Sequence, residues 1–307
     1  MYDLIIIGGG IAGKTAAIYS TRKKLKTLII SQEIGGQTAK ASEVENFPGF
    51  KKISGVELAL AVKDQAVALG TEIKEGIEVS EIVTSDKEKF IAKTTKGNFE
   101  GKSVIIASGK KPRELKAPGE KEFLGKGVAY CATCDAPLFH NKTVIVVGGG
   151  NSALEAVFEL RKYDNKVILV VRKDQVRADA IEIEKAEKDS DIKISYNTEV
   201  EKIEGDKFVT KVTLKNNKTK KSETIEAQGI FVEIGWEVAT GFVPKDLKRN
   251  EFNEIIIDQK TGATNVAGIF AAGDVTDVKY KQAVIAAGSG AIAALSVNEY
   301  LNKNEKK

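Results

Sequence analysis

The chain contains two cysteines, and they stand three residues apart as Cys131-Ala-Thr-Cys134. A zinc site needs four good ligands, and beyond this pair the sequence offers no third cysteine and a single histidine, His140. No metal is expected, and His140 reads as a surface or loop residue. A purely structural pair remains open. The stronger reading is a redox dithiol, because two residues between the sulfurs allow a small, strainable disulfide ring. If the pair opens a helix, the helix N-terminus stabilises one thiolate, the species that attacks in disulfide exchange. Asp135 comes immediately after. It can serve as a proton donor or acceptor if burial raises its pKa; a helix-capping aspartate is the plainer alternative.

Two glycine turns flank this pair in sequence. Leu4-Ile-Ile-Ile-Gly-Gly-Gly-Ile-Ala-Gly13 is echoed by Val144-Ile-Val-Val-Gly-Gly-Gly-Asn-Ser-Ala153, and Gly8 and Gly148 lie 140 residues apart. Each is an apolar strand, a glycine turn and a small-residue helix start, so two dinucleotide sites are expected. In the first, Gly8 permits the turn, Gly10 admits a pyrophosphate to the backbone, and Gly13 packs helix on strand. Gly148, Gly150 and Ala153 repeat those parts. The helix-start N–H groups then face the anion. A glycine turn that merely links strand to helix is the bland reading.

The residues beyond each turn distinguish the two sites. Some 23 residues after Gly8 the chain reads Ser31-Gln-Glu33; 24 after Gly148 it reads Arg172-Lys-Asp-Gln-Val-Arg177. An acid at the end of that second strand suits a free ribose hydroxyl, and arginines suit a 2′-phosphate. The chain has six arginines and two of them are here, which favours NADPH at the second site, with NADH as the alternative. A third element, Gly268-Ile-Phe-Ala-Ala-Gly-Asp274, ends an apolar strand in a carboxylate able to accept from a flavin's ribityl hydroxyl. The order is then FAD half, nicotinamide domain, FAD half.

The elements that position these residues are legible as alternation. Buried strands are expected at Leu4–Ile7, Thr27–Ile30, Val104–Ala107, Thr143–Val147, Val167–Val171, Gly229–Ile234 and Gly268–Ala272. Helices are expected at Ala12–Thr21, Gly55–Leu69, Ser152–Tyr163 and Ala283–Leu301. That pattern is α/β, with largely parallel sheets. Charged tips at Ser85–Lys89 and Asn216–Lys221 suggest small antiparallel β additions. A length of 307 residues suits two domains. The balance of 47 basic against 43 acidic residues, net +4, gives no argument for nucleic acid or an anionic membrane. No signal-peptide pattern opens the chain, and no apolar run of about 20 residues interrupts it. The lysine-rich tail from Asn302 reads as a solvated end. With only two cysteines, a cytoplasmic protein is expected.

Taken together, these strings resemble the low-molecular-weight thioredoxin reductase family over nearly the whole chain. The resemblance is carried by Gly8–Gly13, Gly35-Gly-Gln37, Val44-Glu-Asn-Phe-Pro-Gly49, Cys131-Ala-Thr-Cys-Asp135, Gly148–Ser152 and Ala271-Ala-Gly-Asp274 with Gln282-Ala283. It implies two Rossmann-like dinucleotide-binding domains: a discontinuous FAD domain, residues 1–112 and 243–307, and an NAD(P)H domain, residues 113–242, bearing the cysteines. It implies a thioredoxin-disulfide reductase that is a homodimer acting on a thioredoxin-like protein. Carried over, Cys131 is the interchange thiol, Cys134 the flavin-facing sulfur and Asp135 the acid–base residue. The FAD contacts fall on Gly8, Gly10, Ala12, Gly13, Ser31, Gly36, Gln37, Asn46, Val79, Gly109, Gly273, Asp274, Lys281, Gln282 and Ala283. The nicotinamide-cofactor contacts fall on Gly148, Gly150, Asn151, Ser152, Arg172, Lys173, Arg177 and Gly235.

The chain departs from the family's strings in places. His-Arg-Arg-x-x-Phe-Arg is Val171-Arg-Lys-Asp-Gln-Val-Arg177 here, Arg-Gln-Ala is Lys281-Gln-Ala283, and Gly-x-x-Pro-Asn-Thr is Gly235-Trp-Glu-Val-Ala-Thr240. Ala136 replaces the glycine that commonly comes after the aspartate. Two rivals stay open: a flavin NAD(P)H:acceptor oxidoreductase serving ferredoxin or a small acceptor, which has no need of the cysteines, and a disulfide reductase with a donor other than NADPH.

Overall fold

The computed structural model describes residues 1–41, 43–86 and 89–304. Lys87 and Glu88 of the first expected tip, and Glu305 to Lys307 of the tail, lie outside the described residues. The helices are α1 (Ile11–Arg22), α2 (Gly55–Ala68), α3 (Ala132–Asp135), α4 (Asn151–Arg161), α5 (Ala180–Lys188) and α6 (Ala283–Asn304). The chain divides into two compact units, residues 1–111 with 237–307, and residues 112–236.

The first unit is built on five parallel strands in the order Ile269–Ala271, Val104–Ile106, Leu4–Gly9, Thr27–Ile34, Glu72–Glu75. Strand Val104–Ile106 lies between Leu4–Gly9 and Ile269–Ala271, which ties the two ends of the chain into one sheet. Successive side chains of a strand point to opposite faces, and the two faces are covered differently. Leu4, Ile6, Ile29 and Ile105 meet α1 and α6 through Ala16, Ala17, Ala293, Ala294 and Val297. Ile5, Ile7, Leu28, Ile30 and Val104 meet Ile82, Phe90 and Ala92 of a three-stranded antiparallel sheet. The result is three layers: helices, parallel sheet, antiparallel sheet.

The second unit repeats the plan. Its parallel strands run Ile192–Tyr196, Lys166–Val171, Thr143–Val147, Gly229–Val232, Val128–Ala129. Val144, Val146, Val167 and Leu169 pack on Leu154, Val157 and Leu160 of α4. Ile145, Val147, Val170 and Ile230 pack on Ile203, Val212 and Leu214 of the second antiparallel sheet. The tip expected at Asn216–Lys221 joins two of its strands, and Asn216 shapes it by accepting from the N–H groups of Lys218 and Thr219. Both units are thus Rossmann-like α/β domains with antiparallel additions.

Sequence and structure differ in three ways. The chain returns to the first unit at 236/237, not at 242/243, because Ala239 to Val243 are held there: Ser108 Oγ donates to the Ala239 carbonyl, Ile82 N–H donates to Phe242, and Val243 joins the first unit's core. Helix α5 has an apolar stripe too weak to stand out, with only Ala186 buried. Helix α6, at 22 residues, is long and apolar enough to cross a membrane by length and composition, against the expectation of no such run. Its Gly290, Ala293, Ala294, Val297 and Leu301 are buried in this unit's core, so it serves as a core helix.

Helices α1 and α6 approach so closely that a Cβ on Gly290 would stand 2.2 Å from the Ala12 carbonyl oxygen, whereas one on Gly288 meets nothing within 4 Å. Gly290→Ala should therefore lower unfolding free energy by about 1–3 kcal/mol through overpacking. Gly288→Ala should raise it by about 0.5–1 kcal/mol through helix propensity. Urea unfolding of the two variants checks this; equal effects would contradict it.

Candidate functional site

The dithiol sits in the second unit. Cys131 and Cys134 form a disulfide with Cα atoms 5.3 Å apart. Cys131 is the extended N-cap of α3, and its carbonyl accepts from the N–H groups of Cys134 and Asp135, which winds the short turn. Pro137 and a 3-10 turn at Ala136–Leu138 end it. Three anchors hold this small element on the sheet: Ala132 and Ala136 are buried in the core beside Val144 and Leu154, and Phe139 packs edge-on to Phe231 with ring centres 5.1 Å apart. Gly229 makes room for that ring, since a Cβ there would stand 2.5 Å from it. Burial pushes the Asp135 carboxyl up to about 6, so it can hold a proton near neutral pH beside the sulfurs. His140 is exposed, 3.8 Å from the equally exposed Asp164, and faces solvent.

The same unit carries the second glycine turn. A Cβ on Gly148 would stand 2.3 Å from the Glu233 carbonyl and 2.8 Å from Ala153, so the turn tolerates no side chain. Gly150, at the N-cap of α4, has open space where a Cβ would be. That is a cradle for an anion at a helix N-terminus, and a dinucleotide's pyrophosphate fits it. Asn151 and Ser152 are exposed on the first turn, and Asn151 Oδ1 accepts from Asp179 N–H. Arg177 N–H donates to the Gly149 carbonyl, which brings the segment after strand Lys166–Val171 back to the turn. Arg172, Lys173 and Arg177 are exposed along that segment. Gly235 (φ 99°) lies just past strand Gly229–Val232, and its carbonyl accepts from Arg113 N–H.

In the first unit, the expected flavin contacts gather around the start of α1. Gly8 (φ 120°) leaves 2.2 Å between a would-be Cβ and the Ala107 carbonyl; Gly13 leaves 2.0 Å to the Gly8 carbonyl. Gly10 is open above, and Gly36 (φ 58°) lies against it. Gly273 (φ 76°) abuts Ala12 and donates its N–H to Ser289 Oγ. Gly109 (φ 68°) is open, and Gln37 caps a 3-10 turn. Asn46 Nδ2 donates to Gln282 Oε1 at 3.3 Å, joining residues far apart in sequence, and Ala283 opens α6. Ser31 is turned inward: it accepts from Gly9 N–H and donates to the Glu33 carbonyl, shaping the loop. Val79 is buried at the start of its antiparallel strand. The open glycine N-cap suits a dinucleotide here too.

Sequence reasoning missed two groups, the ionic cluster around Glu254 and the carboxyl of Glu233. Glu254 pairs with Lys110 at 2.5 Å and with Lys281 at 3.2 Å, and all three side chains are largely buried. Lys281 also donates to the carbonyls of Asp274 and Thr276. Burial raises the Asp274 carboxyl against the pull of Lys281 and Lys110, and burial, then Lys110, lowers Lys281. Of Glu254 and its two lysines, only the Lys281 position carried a signal in the sequence.

Glu254 is itself held low: burial opposes its charge, but hydrogen bonds from Lys110 and Asn250 and the charge of Lys281 outweigh that. Such a lowered carboxylate stabilises the fold above the ordinary carboxylate range and loses that contribution as pH falls through its lowered pKa. Glu254→Gln should therefore cost on the order of 2 kcal/mol at pH 7, by leaving two buried ammoniums without their counter-ion. The gap to the parent protein should close as pH falls below the ordinary carboxylate range, through the lowered pKa of Glu254. Urea unfolding at several pH values reads it, and a pH-independent gap would contradict the ion-pair account.

Comparison with known proteins places these features. Residues 2–290 match the family model described as pyridine nucleotide-disulphide oxidoreductase. The chain is 38% identical to a thioredoxin reductase of Treponema pallidum, covering 98% of this chain and 97% of that one. It is 37% identical over 99% of its length to an alkyl hydroperoxide reductase component from Staphylococcus epidermidis, but spans only 60% of that longer protein. The crystal structure of thioredoxin reductase from Streptococcus pyogenes MGAS5005 matches with a TM-score of 0.93 at 37% identity, covering 99% of each chain. With both glycine turns and the Cys131–Cys134 disulfide in place, the chain belongs to the pyridine nucleotide-disulphide oxidoreductases, and among them to the low-molecular-weight thioredoxin reductase family.

Proposed function

We propose that the protein is a thioredoxin-disulfide reductase that passes electrons from NADPH, by way of FAD, to the Cys131–Cys134 disulfide and on to a thioredoxin-like protein. The observation that carries this is the disulfide itself: it closes the N-terminal turn of α3 beside a carboxyl raised by burial, in the unit that also holds a nucleotide turn. FAD, when bound, supplies the change from two-electron hydride acceptance to dithiol reduction. In the first unit Gly8, Gly10, Ala12, Gly13, Gly36, Gln37, Asn46, Gly109, Gly273, Asp274, Gln282 and Ala283 hold it, with Ser31, Val79 and Lys281 shaping the walls. In the second, Gly148, Gly150, Asn151, Ser152 and Gly235 hold NADPH, with Arg172, Lys173 and Arg177 toward its 2′-phosphate.

The chain's own steps then derive from thiol chemistry. Two electrons and two protons open the Cys131–Cys134 disulfide. The Cys131 thiolate, at the N-cap of α3, attacks one sulfur of the partner's disulfide; a mixed disulfide forms and the partner's other sulfur leaves as thiolate. Asp135 delivers the proton that thiolate needs. Cys134 attacks the Cys131 sulfur, restores the enzyme disulfide and releases the second partner thiol. The cytoplasm is the compartment where such a reductase works. Association as a homodimer is supported by exposed apolar stripes: Val56, Leu60 and Val67 on α2, and Val284, Ile292 and Leu295 on α6.

The test is the double variant Cys131→Ser/Cys134→Ser with thioredoxin and, separately, with a small quinone acceptor. Disulfide reduction should fall more than about 10³-fold, as expected for loss of a nucleophile, while NADPH-driven quinone reduction persists. Retained disulfide reduction would overturn the proposal in favour of an acceptor oxidoreductase.

A further inference from the structure

Lys281 is tied to the turn that carries Asp274. Its ammonium donates to the main-chain carbonyls of Asp274 and Thr276, within and just past the 3-10 turn Gly273–Val275. Glu254 Oε1 holds that ammonium at 3.2 Å, and Asn250 Nδ2 donates to Glu254 Oε2 at 2.7 Å. The main chain repeats the tie: Ile255 N–H donates to the Val275 carbonyl, and Asp277 N–H donates to the Ile255 carbonyl. Lys110, directly after Gly109, meets the same Oε1 of Glu254. Three chain segments therefore converge on one carboxylate. Two of them carry expected flavin contacts: Gly109 on one, and Asp274, Lys281, Gln282 and Ala283 on the other. The third, which supplies Glu254, carries none.

We propose that Glu254 is a positioning residue of the flavin site, which seats the Lys281 ammonium against the Asp274 turn and, with Lys110 and Lys281, sets the charge balance beside the bound flavin. The inference rests on the reading of the first unit as the FAD domain. Stability is a weak reason for such a cluster, because burying charged groups costs desolvation that their attraction scarcely repays. Position is a stronger one. The Gly273–Val275 turn has three residues, too few to hold its own geometry. Hydrogen bonds from a charged donor are shorter and stronger than neutral ones, and here one ammonium reaches two carbonyls of this stretch. Glu254 fixes that ammonium, so it acts on Asp274 through Lys281 and touches no part of the flavin itself. The charges also have a sign. Removing the carboxylate makes the surroundings of the site more positive and favours a flavin that gains electrons; removing Lys110 does the reverse.

The test reads the flavin itself, without a partner protein or a nicotinamide nucleotide. Release of FAD on dilution of the purified holoprotein is followed by the gain in flavin fluorescence. Glu254→Gln should weaken FAD binding about tenfold, as expected for loss of a charged hydrogen-bond partner. Lys281→Met should do at least as much, and the double variant should do no more than Lys281→Met alone, because Glu254 acts through Lys281. Flavin midpoint potentials are then read against a redox dye in the Cys131→Ser/Cys134→Ser background, where no disulfide competes for electrons. Glu254→Gln should raise the potential and Lys110→Gln should lower it. Each shift should reach about tenfold in the reduction equilibrium, which is about 30 mV for a two-electron couple. Loosening of the site alone would move both variants the same way. Lys110→Gln keeps the Glu254–Lys281 pair, so its potential decides the matter even where Glu254→Gln fails to fold. FAD binding unchanged in Glu254→Gln overturns the inference, and so do effects that multiply in the double variant, or potentials that stay put or shift together. A parent protein that binds no FAD is seen before any variant is compared, and it overturns the reading of the first unit along with this inference. Flavin held alike by the parent and every variant overturns this inference alone.

Discussion

Both units depend on one steric constraint, the passage of the chain across the top of its own parallel sheet. At Gly8 a carbonyl from the neighbouring strand's end, Ala107, stands 2.2 Å from where a side chain would begin; at Gly148 the Glu233 carbonyl stands at 2.3 Å. A side chain there is impossible without moving backbone. The consequence runs outward. Because the strand can turn so tightly, the next helix starts directly above the sheet, and its unpaired N–H groups open onto free space at Gly10 and Gly150. Because that helix lies close, its inner face must be small. Ala12, Ala16 and Ala17 serve in α1, and Ala153 and Ala156 in α4. The anion cradle and the small-residue helix are one feature seen at two scales.

The same constraint reaches the redox centre. Ala132 of α3 and Ala136 just beyond it lie in one core with Ala153 and Leu154, at the start of the helix that the Gly148 turn opens. Nucleotide turn and dithiol helix are thereby joined through one patch of core. Helix α3 is too short to be stable alone, so its geometry is imposed by packing: Ala132, Ala136 and Phe139 against the sheet, with Gly229 cleared for the phenyl ring. Burial raises Asp135, on that turn, to about 6, and Glu233, at the nucleotide turn, to about 7. A centre that moves both electrons and protons needs groups that exchange protons near neutrality, and burial is the simplest way to obtain them from carboxylic acids.

How much was legible in the sequence depends on how local the physics is. The strand–glycine–helix turns, the Cys-x-x-Cys spacing and the seven strongest strands depend on neighbours within about ten residues, and each stands in the structure within a few residues of its expected place. The chain crossing does not: the six residues after Trp236 read as part of the second unit, yet Ala239 and Phe242 bond to Ser108 and Ile82, over a hundred residues earlier. Length alone also misread α6, whose apolar stretch is interrupted only by small residues and is used in packing against α1. The Lys110–Glu254–Lys281 group joins side chains from distant segments, and no spacing rule announces it. The hydroxyl of Ser31 bonds with Gly9 and Glu33, a loop-shaping part that its position in the string does not announce.

Flavin and disulfide, in this account, lie on one electron path fed by a nicotinamide nucleotide. The most direct test is an anaerobic titration of the purified protein with NADPH, and separately with NADH, following the flavin's visible absorbance. The account predicts bleaching that is complete only after about two reductant equivalents per protein chain, since two two-electron centres fill, with NADPH more effective than NADH because of Arg172 and Arg177. Bleaching complete at one equivalent would place the disulfide outside the path. No bleaching by either nucleotide, with dithionite still effective, would contradict the donor and make the changes across Val171 to Arg177 the decisive ones.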